Sequence, residues 1–169
     1  GNIAVESEPG VGTSIHLSLP MDVPRTGRVR AAGKGTAQAD DQPLKILLAE
    51  DEPISQMATT LMLRRLGHSV KAVGNGLEAL ELLSMDVFDC ILMDVQMPEM
   101  DGVEATRVIR SLGDLGDKAR IPIIALTAYA MPGDKEKFLA AGMDDHVAKP
   151  VQQSDLLRAL RQAGRERTG

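Results

Sequence analysis

At 169 residues and 43% apolar composition, the chain suits one domain of ordinary size with some length to spare. A net charge of −5 and only three aromatic side chains, Phe88, Tyr129 and Phe138, exclude a basic nucleic-acid footprint and a base-stacking platform. The one cysteine, Cys90, lies in an apolar run and forms no disulfide within the chain. No run reaches the ~20 apolar residues of a membrane span, and "GNIAVESEPG" lacks the parts of a signal peptide, so a reduced, cytoplasmic setting without direct membrane contact is expected.

Residues 1–20, "GNIAVESEPGVGTSIHLSLP", hold two alternating stretches, Ile3 and Val5, then Ile15, Leu17 and Leu19. "EPGVG" between them supplies the Pro and Gly of a reversal, which predicts a β-hairpin with one apolar face. A lone hairpin is marginal in water, so this one reads as the end of a larger domain. Residues 21–43 carry Pro, Gly, Ala and charge with almost no large apolar side chains, the composition of a flexible linker.

From Leu44 to about residue 164 the pattern alternates short apolar runs with helical periodicity, and residues 165–169 form a tail. "LKILLA" predicts a buried strand. Pro53 suits a helix first turn, and apolar residues at 54, 57, 58 and 61 predict a helix that ends before Gly67. "SVKAV" is short and alternating, as an edge strand is. Asn75 and Glu78 form a cap-like pair ahead of Leu80 and Leu83. "FDCILM" is the third strand run. A helix follows Gly102 with apolar residues at 105, 108, 109 and 112. "IPIIAL" is the fourth run, and a weakly amphipathic helix spans about 132–141, stopping at Gly142. "DHVAK" is a short fifth strand, after which Ser154 is expected to cap a last helix carrying Leu156, Leu157, Leu160 and Ala163.

Five such βα units define an α/β fold with a doubly wound parallel sheet. The flavodoxin-like strand order 2-1-3-4-5 places "SVKAV" at an edge. Sites in such sheets form at the carboxyl ends of the strands, near the switch point between the first and third. There the sequence delivers Glu50 and Asp51, Asp94, Thr127 and Lys149. Singly, Asp94 reads equally as a helix cap, Thr127 as a β residue and Lys149 as a surface lysine. Together they carry a chemistry. Three carboxylates in one crevice repel unless a hard divalent cation joins them, and Mg²⁺ takes one or two carboxylates plus water and phosphate oxygens. A lysine and a hydroxyl bind phosphate oxygens, and an aspartate can accept a phosphoryl group.

"ILLAEDEP", "CILMDVQMPEMDG", "IIALTAYA" and "VAKP" resemble, in order and spacing, the four signature segments of response-regulator receiver domains. The resemblance covers about residues 44–164. It implies that Asp94 is the phosphoacceptor, that Thr127 and Tyr129 form a switch and that Lys149 is the conserved lysine, with a cis Lys149–Pro150 bond. It further implies Mg²⁺ (or Mn²⁺) held by Glu50, Asp51, Asp94 and the backbone carbonyl of Gln96. The acidic pair is Glu-Asp where Asp-Asp is the commoner form. Tyr129 reads equally as a half-buried tyrosine at a strand end. The fourth helix, fifth strand and fifth helix would form the output face, able to pair with a second copy.

"SEPGVGTSIHLSLP" resembles the last hairpin of the histidine-kinase ATP-binding domain, without that domain's nucleotide-binding segments. Kinase end, linker and receiver together resemble the C-terminal portion of a hybrid sensor histidine kinase, whose missing part would anchor it to a membrane. No DNA-binding output domain is expected after Gly169, an expectation that favours relay over direct transcription control. The expected partners are a phosphohistidine domain, of the same or another chain, and a histidine phosphotransfer protein. Ile54 and Met57 either dock such a partner or face the sheet. As a fragment the chain is expected to be a phosphoacceptor module and not an enzyme. The rival reading is an aspartyl-phosphate phosphohydrolase similar to haloacid dehalogenases. Those carry a second Asp two residues after the first, where this chain has Gln96.

Overall fold

The computed structural model describes residues 2–8, 12–18, 42–111, 118–128 and 134–166, and of 2–8, 12–18, 134, 135, 165 and 166 the backbone alone. The chain divides into two units, Gly1–Ala37 and Gln38–Gly169. In the first, β1 (Asn2–Glu8) pairs antiparallel with β2 (Gly12–Ser18), in a register running from Asn2↔Ser18 to Glu8↔Gly12. The centre of the expected turn, Pro9 to Val11, and the expected linker up to residue 41 lie outside the described residues.

The second unit runs β3 (Lys45–Ala49), α1 (Pro53–Arg65), β4 (Ser69–Val73), α2 (Gly76–Met85), β5 (Cys90–Asp94), α3 (Gly102–Ser111), β6 (Ile123–Thr127), α4 (Asp134–Ala141), β7 (Asp145–Ala148) and α5 (Gln153–Glu166). Its sheet is parallel with the order β4-β3-β5-β6-β7, which is 2-1-3-4-5 in the unit's own count. Every residue of β5 and β6 is buried, whereas β4 exposes Ser69, Lys71 and Ala72, as an edge strand does.

The period of two sorts the strand residues into two cores. Leu47, Ala49, Ile91, Met93, Ile123 and Ala125 meet Ala79 and Leu83 of α2, Ala105 and Ile109 of α3 and Phe138 of α4. Ile46, Leu48, Leu92, Ile124 and Leu126 meet Leu63 of α1 and Leu156, Ala159 and Leu160 of α5. Both faces of the sheet are covered, which is why its central strands read as unbroken apolar runs.

Two expectations are corrected. The apolar stripe of α1 does not face the sheet: Ile54 is 77% and Met57 64% exposed, and Leu61 is exposed as well. The inward face is Thr59 and Leu63, flanked by Met62 and Leu66. Gln56 fixes that rotation, because its Nε2 donates to the carbonyls of Glu50 at 2.8 Å and Val73 at 3.0 Å. The cap of α1 is Glu52, whose carboxylate accepts from the N–H of Ile54 and Ser55. In α5, Ser154 lies inside a helix that already begins at Gln153, and Ala159 joins its buried face. The pair of Asn75 and Glu78 caps the start of α2: Asn75 Oδ1 accepts from Glu78 N, and Glu78 Oε2 reaches back past the cap to accept from Gly74 N.

Candidate functional site

Parallel strands deliver their carboxyl ends to one edge. Glu50 and Asp51 follow β3, Asp94 ends β5, Thr127 ends β6, and Lys149 follows β7. All five, with Gln96, line one cavity of about 710 Å³. One carboxylate oxygen each from Glu50, Asp51 and Asp94 lies within 4.8 Å of the others. Asp51 is exposed at the mouth, whereas Glu50, Asp94 and Thr127 are buried. Tyr129 lies outside the described residues. The Lys149–Pro150 bond is cis.

Lys149 bridges the two buried carboxylates. Its Nζ donates to Asp94 Oδ2 at 2.5 Å and to Glu50 Oε1 at 2.8 Å. Burial disfavours its charge, but hydrogen bonds to Asp94 and Glu50 and their negative charges outweigh that, so the ammonium titrates above its ordinary range. Glu50 is pushed the other way. Burial raises its carboxyl most, the Asp94 charge adds to that, and the bond to Lys149 recovers only part. Its Oε2 lies 2.7 Å from Lys149 Nζ, yet not aligned for a hydrogen bond, and has no hydrogen-bond partner.

Three carboxylates whose oxygens lie this close, one of them with an oxygen that accepts no hydrogen bond, fit a hard cation with oxygen ligands. The backbone holds the set in place. Gln96 N donates to Asp94 Oδ1 at 3.2 Å, Lys149 N to Thr127 O at 2.7 Å and Val95 N to Leu126 O at 3.0 Å. Gly102 begins α3 against β5: a Cβ there would lie 2.0 Å from Asp94 O, so no side chain fits.

Sequence reasoning missed Gln56, which pins the end of β3 to the end of β4, because Gln on a helix face carries no site signal. It also missed Arg107 and Lys137, which line the same cavity from α3 and α4.

A doubly wound sheet whose switch point presents an acidic trio, a hydroxyl and a lysine defines the receiver class of signalling module. The chain belongs to the family of response regulator receiver domains, whose model matches residues 46–161, and that family works in two-component signalling. It is 43% identical over 123 residues to a hybrid signal transduction histidine kinase of Dictyostelium discoideum, covering 70% of this chain and 7% of that protein. It is 36% identical over 157 residues to the autoinducer 2 sensor kinase/phosphatase LuxQ of Vibrio vulnificus, covering 92% of this chain and 18% of that protein. The chain thus spans less than a fifth of these relatives.

Among solved structures, it resembles the receiver domain of sensor histidine kinase PA1611 from Pseudomonas aeruginosa, which has a magnesium ion coordinated in its active site cleft. The TM-score is 0.66 at 42% identity, over 73% of this chain and 98% of that one. It also resembles the receiver domain of the Saccharomyces cerevisiae response regulator Ssk1, which was solved with the histidine phosphotransfer protein Ypd1. There the TM-score is 0.67 at 32% identity, over 72% of this chain and 89% of that one.

Proposed function

We propose that this chain is the receiver of a hybrid sensor histidine kinase and that Asp94 takes a phosphoryl group from a phosphohistidine. The observation that carries this reading is the bridge by Lys149 of Asp94 and Glu50 at a carboxyl-end pocket that Asp51 and Thr127 complete. A carboxylate oxygen of Asp94 attacks phosphorus. The histidine N–P bond breaks, its electron pair stays on the imidazole nitrogen, which takes up a proton, and an O–P bond forms. Lys149 then follows a phosphoryl oxygen, and the Thr127 hydroxyl donates to another. Glu50, Asp51, Asp94 and the Gln96 carbonyl would hold Mg²⁺ or Mn²⁺, which when bound neutralises charge on the phosphoryl oxygens.

The phosphoryl group leaves to a histidine of a phosphotransfer protein, or to water as inorganic phosphate. The chain acts as a phosphoacceptor and not as an enzyme on an outside substrate. The exposed Ile54, Met57 and Leu61 give α1, the helix that follows Glu50 and Asp51, an apolar surface for the phosphohistidine partner. Thr127 and Tyr129 pass the modification to α4, β7 and α5, a face that could also pair with a second copy. Among the described residues no helix is long and apolar enough to cross a membrane, which agrees with a cytoplasmic module of an anchored kinase.

The hairpin β1–β2 is, on this reading, the end of the kinase ATP-binding domain, residues 21–43 the linker and 44–164 the receiver. An alignment with LuxQ that takes in 92% of the chain must run through the linker into the hairpin, which supports that order. Mass spectrometry after incubation with acetyl phosphate and Mg²⁺ tests the proposal. One phosphoryl adduct is expected on Asp94. Equal labelling of Asp94→Asn removes Asp94 from the role.

A further inference from the structure

On the receiver reading Gln96 would enter the cation site through its backbone carbonyl, so its placement would depend on the loop from Val95 to Asp101 and not on a rotamer. Two backbone hydrogen bonds close that loop from within, Gly102 N to Val95 O at 3.1 Å and Met100 N to Pro98 O at 2.7 Å. A third comes from α2, where Gly76 N donates to Met100 O at 3.1 Å. The approach is close. A Cβ on Gly76 would lie 2.8 Å from both Met100 Cγ and Met100 O and 2.9 Å from Ala105 Cβ. The first turn of α2 is therefore pressed against the loop and the start of α3.

Asn75, 8% exposed, adds a side-chain tie. Its Oδ1 caps α2 by accepting from Glu78 N at 2.8 Å, work that Ser or Asp does as well. The other end of the amide is not needed for capping. Its Nδ2 donates to Glu99 Oε2 at 3.2 Å and to Glu78 Oε1 at 3.3 Å. Glu99 has φ of 63°, the only positive φ outside glycine among the described residues. Glutamate has no local preference for that conformation, so its contacts must hold it. The bond from Met100 N to Pro98 O closes the turn around it, and Asn75, 24 residues earlier in the chain, ties its side chain to α2.

We infer that Asn75 is a positioning residue for the cation site: by holding Glu99 in its left-handed turn, it sets where the loop presents the Gln96 carbonyl. The role rests on the receiver reading for what Gln96 binds; the tie itself stands on geometry. Asn75→Ser keeps a helix cap and loses the donor, Glu99→Ala loses the acceptor, and Glu99→Gln keeps an acceptor oxygen. Mg²⁺ affinity by calorimetry and amide exchange across Gln96–Asp101 in the metal-free protein are the two readouts.

Asn75→Ser and Glu99→Ala should each speed exchange in the loop and weaken Mg²⁺ by about three- to tenfold, the range one such hydrogen bond supports. Their combination should be no worse than the weaker single variant, because both cut the same tie. Glu99→Gln should recover most of the affinity, which a merely structural role for the charge would not give. If Asn75→Ser binds Mg²⁺ as tightly as the wild type, or if the losses add in the double variant, the inference is overturned. A wild type that takes up no Mg²⁺ overturns the receiver reading, and with it this role for Asn75.

Discussion

Replacing Lys149 by Met isolates the electrostatics of the pocket. The side chain keeps much of its length and loses the ammonium that bridges Glu50 and Asp94. Removing one partner of a fully buried ion pair costs about 3–5 kcal/mol, because the other charge stays behind without compensation. Glu50 is fully buried, but the Lys149 side chain is 21% exposed, so the expected cost at neutral pH is nearer ~2–3 kcal/mol. For a domain of this size that lowers Tm by roughly 10 °C.

The cost should depend on pH in a stated direction. Glu50 already titrates above its ordinary value of 4.5 in the folded protein. A raised carboxyl stabilises fully below its unfolded value, and that contribution is lost as pH rises through the folded value. Without Lys149, which pulls Glu50 down, the folded value climbs further. The gap between wild type and Lys149→Met should therefore widen as pH rises from 4.5 toward neutrality and narrow again below it. Urea denaturation in chelator-treated buffer across that span measures it. A gap that stays constant across the span would show that lost packing, not uncompensated charge, sets the cost, and would refute the reasoning.

Three further outcomes follow from other parts of the fold. Lys45 above all, then Lys71, holds Asp86 well below the usual carboxylate range, so its contribution is present above pH 3.8 and lost as pH falls through the folded value. Acid titration of stability should show wild type and Asp86→Asn converging below pH 3.8. Gly102→Ala forces a Cβ to within 2.0 Å of the Asp94 carbonyl oxygen, so α3 must shift, at a cost of about 3 kcal/mol. Urea denaturation measures that cost, and labelling by acetyl phosphate should fall with it. Leu63→Ala should cost about 2–5 kcal/mol and Met57→Ser less than about 0.5 kcal/mol in thermal denaturation, because α1 buries Leu63 and exposes Met57.

The sheet was legible because burial on both faces leaves a direct mark. "CILM" and "IIAL" are apolar throughout, since each side chain meets one core or the other. The acidic trio was legible because a strand that runs to the sheet's edge must deliver its last residue there. The rotation of α1 was not. Its apolar residues at 54, 57 and 61 outscore the polar pair Gln56 and Thr59 on any periodicity count. What turns the helix is the hydrogen bonding of Gln56 to the ends of two strands, a tertiary contact with no sequence signature. The tie between Asn75 and Glu99 was hidden for the same reason. Each residue has a sufficient local reading, as a cap and as a turn residue, and only folding brings them within 3.2 Å.

The breach of local rules at Glu50 is the most informative feature of the pocket. Burying a carboxylate is costly unless it is paired, and Glu50 has one ammonium, that of Lys149, against both of its oxygens. Asp51 and Asp94 bring two further carboxylates close to it. A resting state built for stability alone would correct both. Each would be relieved in one event if a divalent cation joined the three carboxylates. On the proposed function, phosphorylation would then exchange the single charge of Asp94 for nearly two. Lys149 is the group placed to answer that change, because its Nζ already holds both Asp94 and Glu50. Glu50 is therefore the fixed post of the site: fully buried, it keeps the ammonium within reach of Asp94.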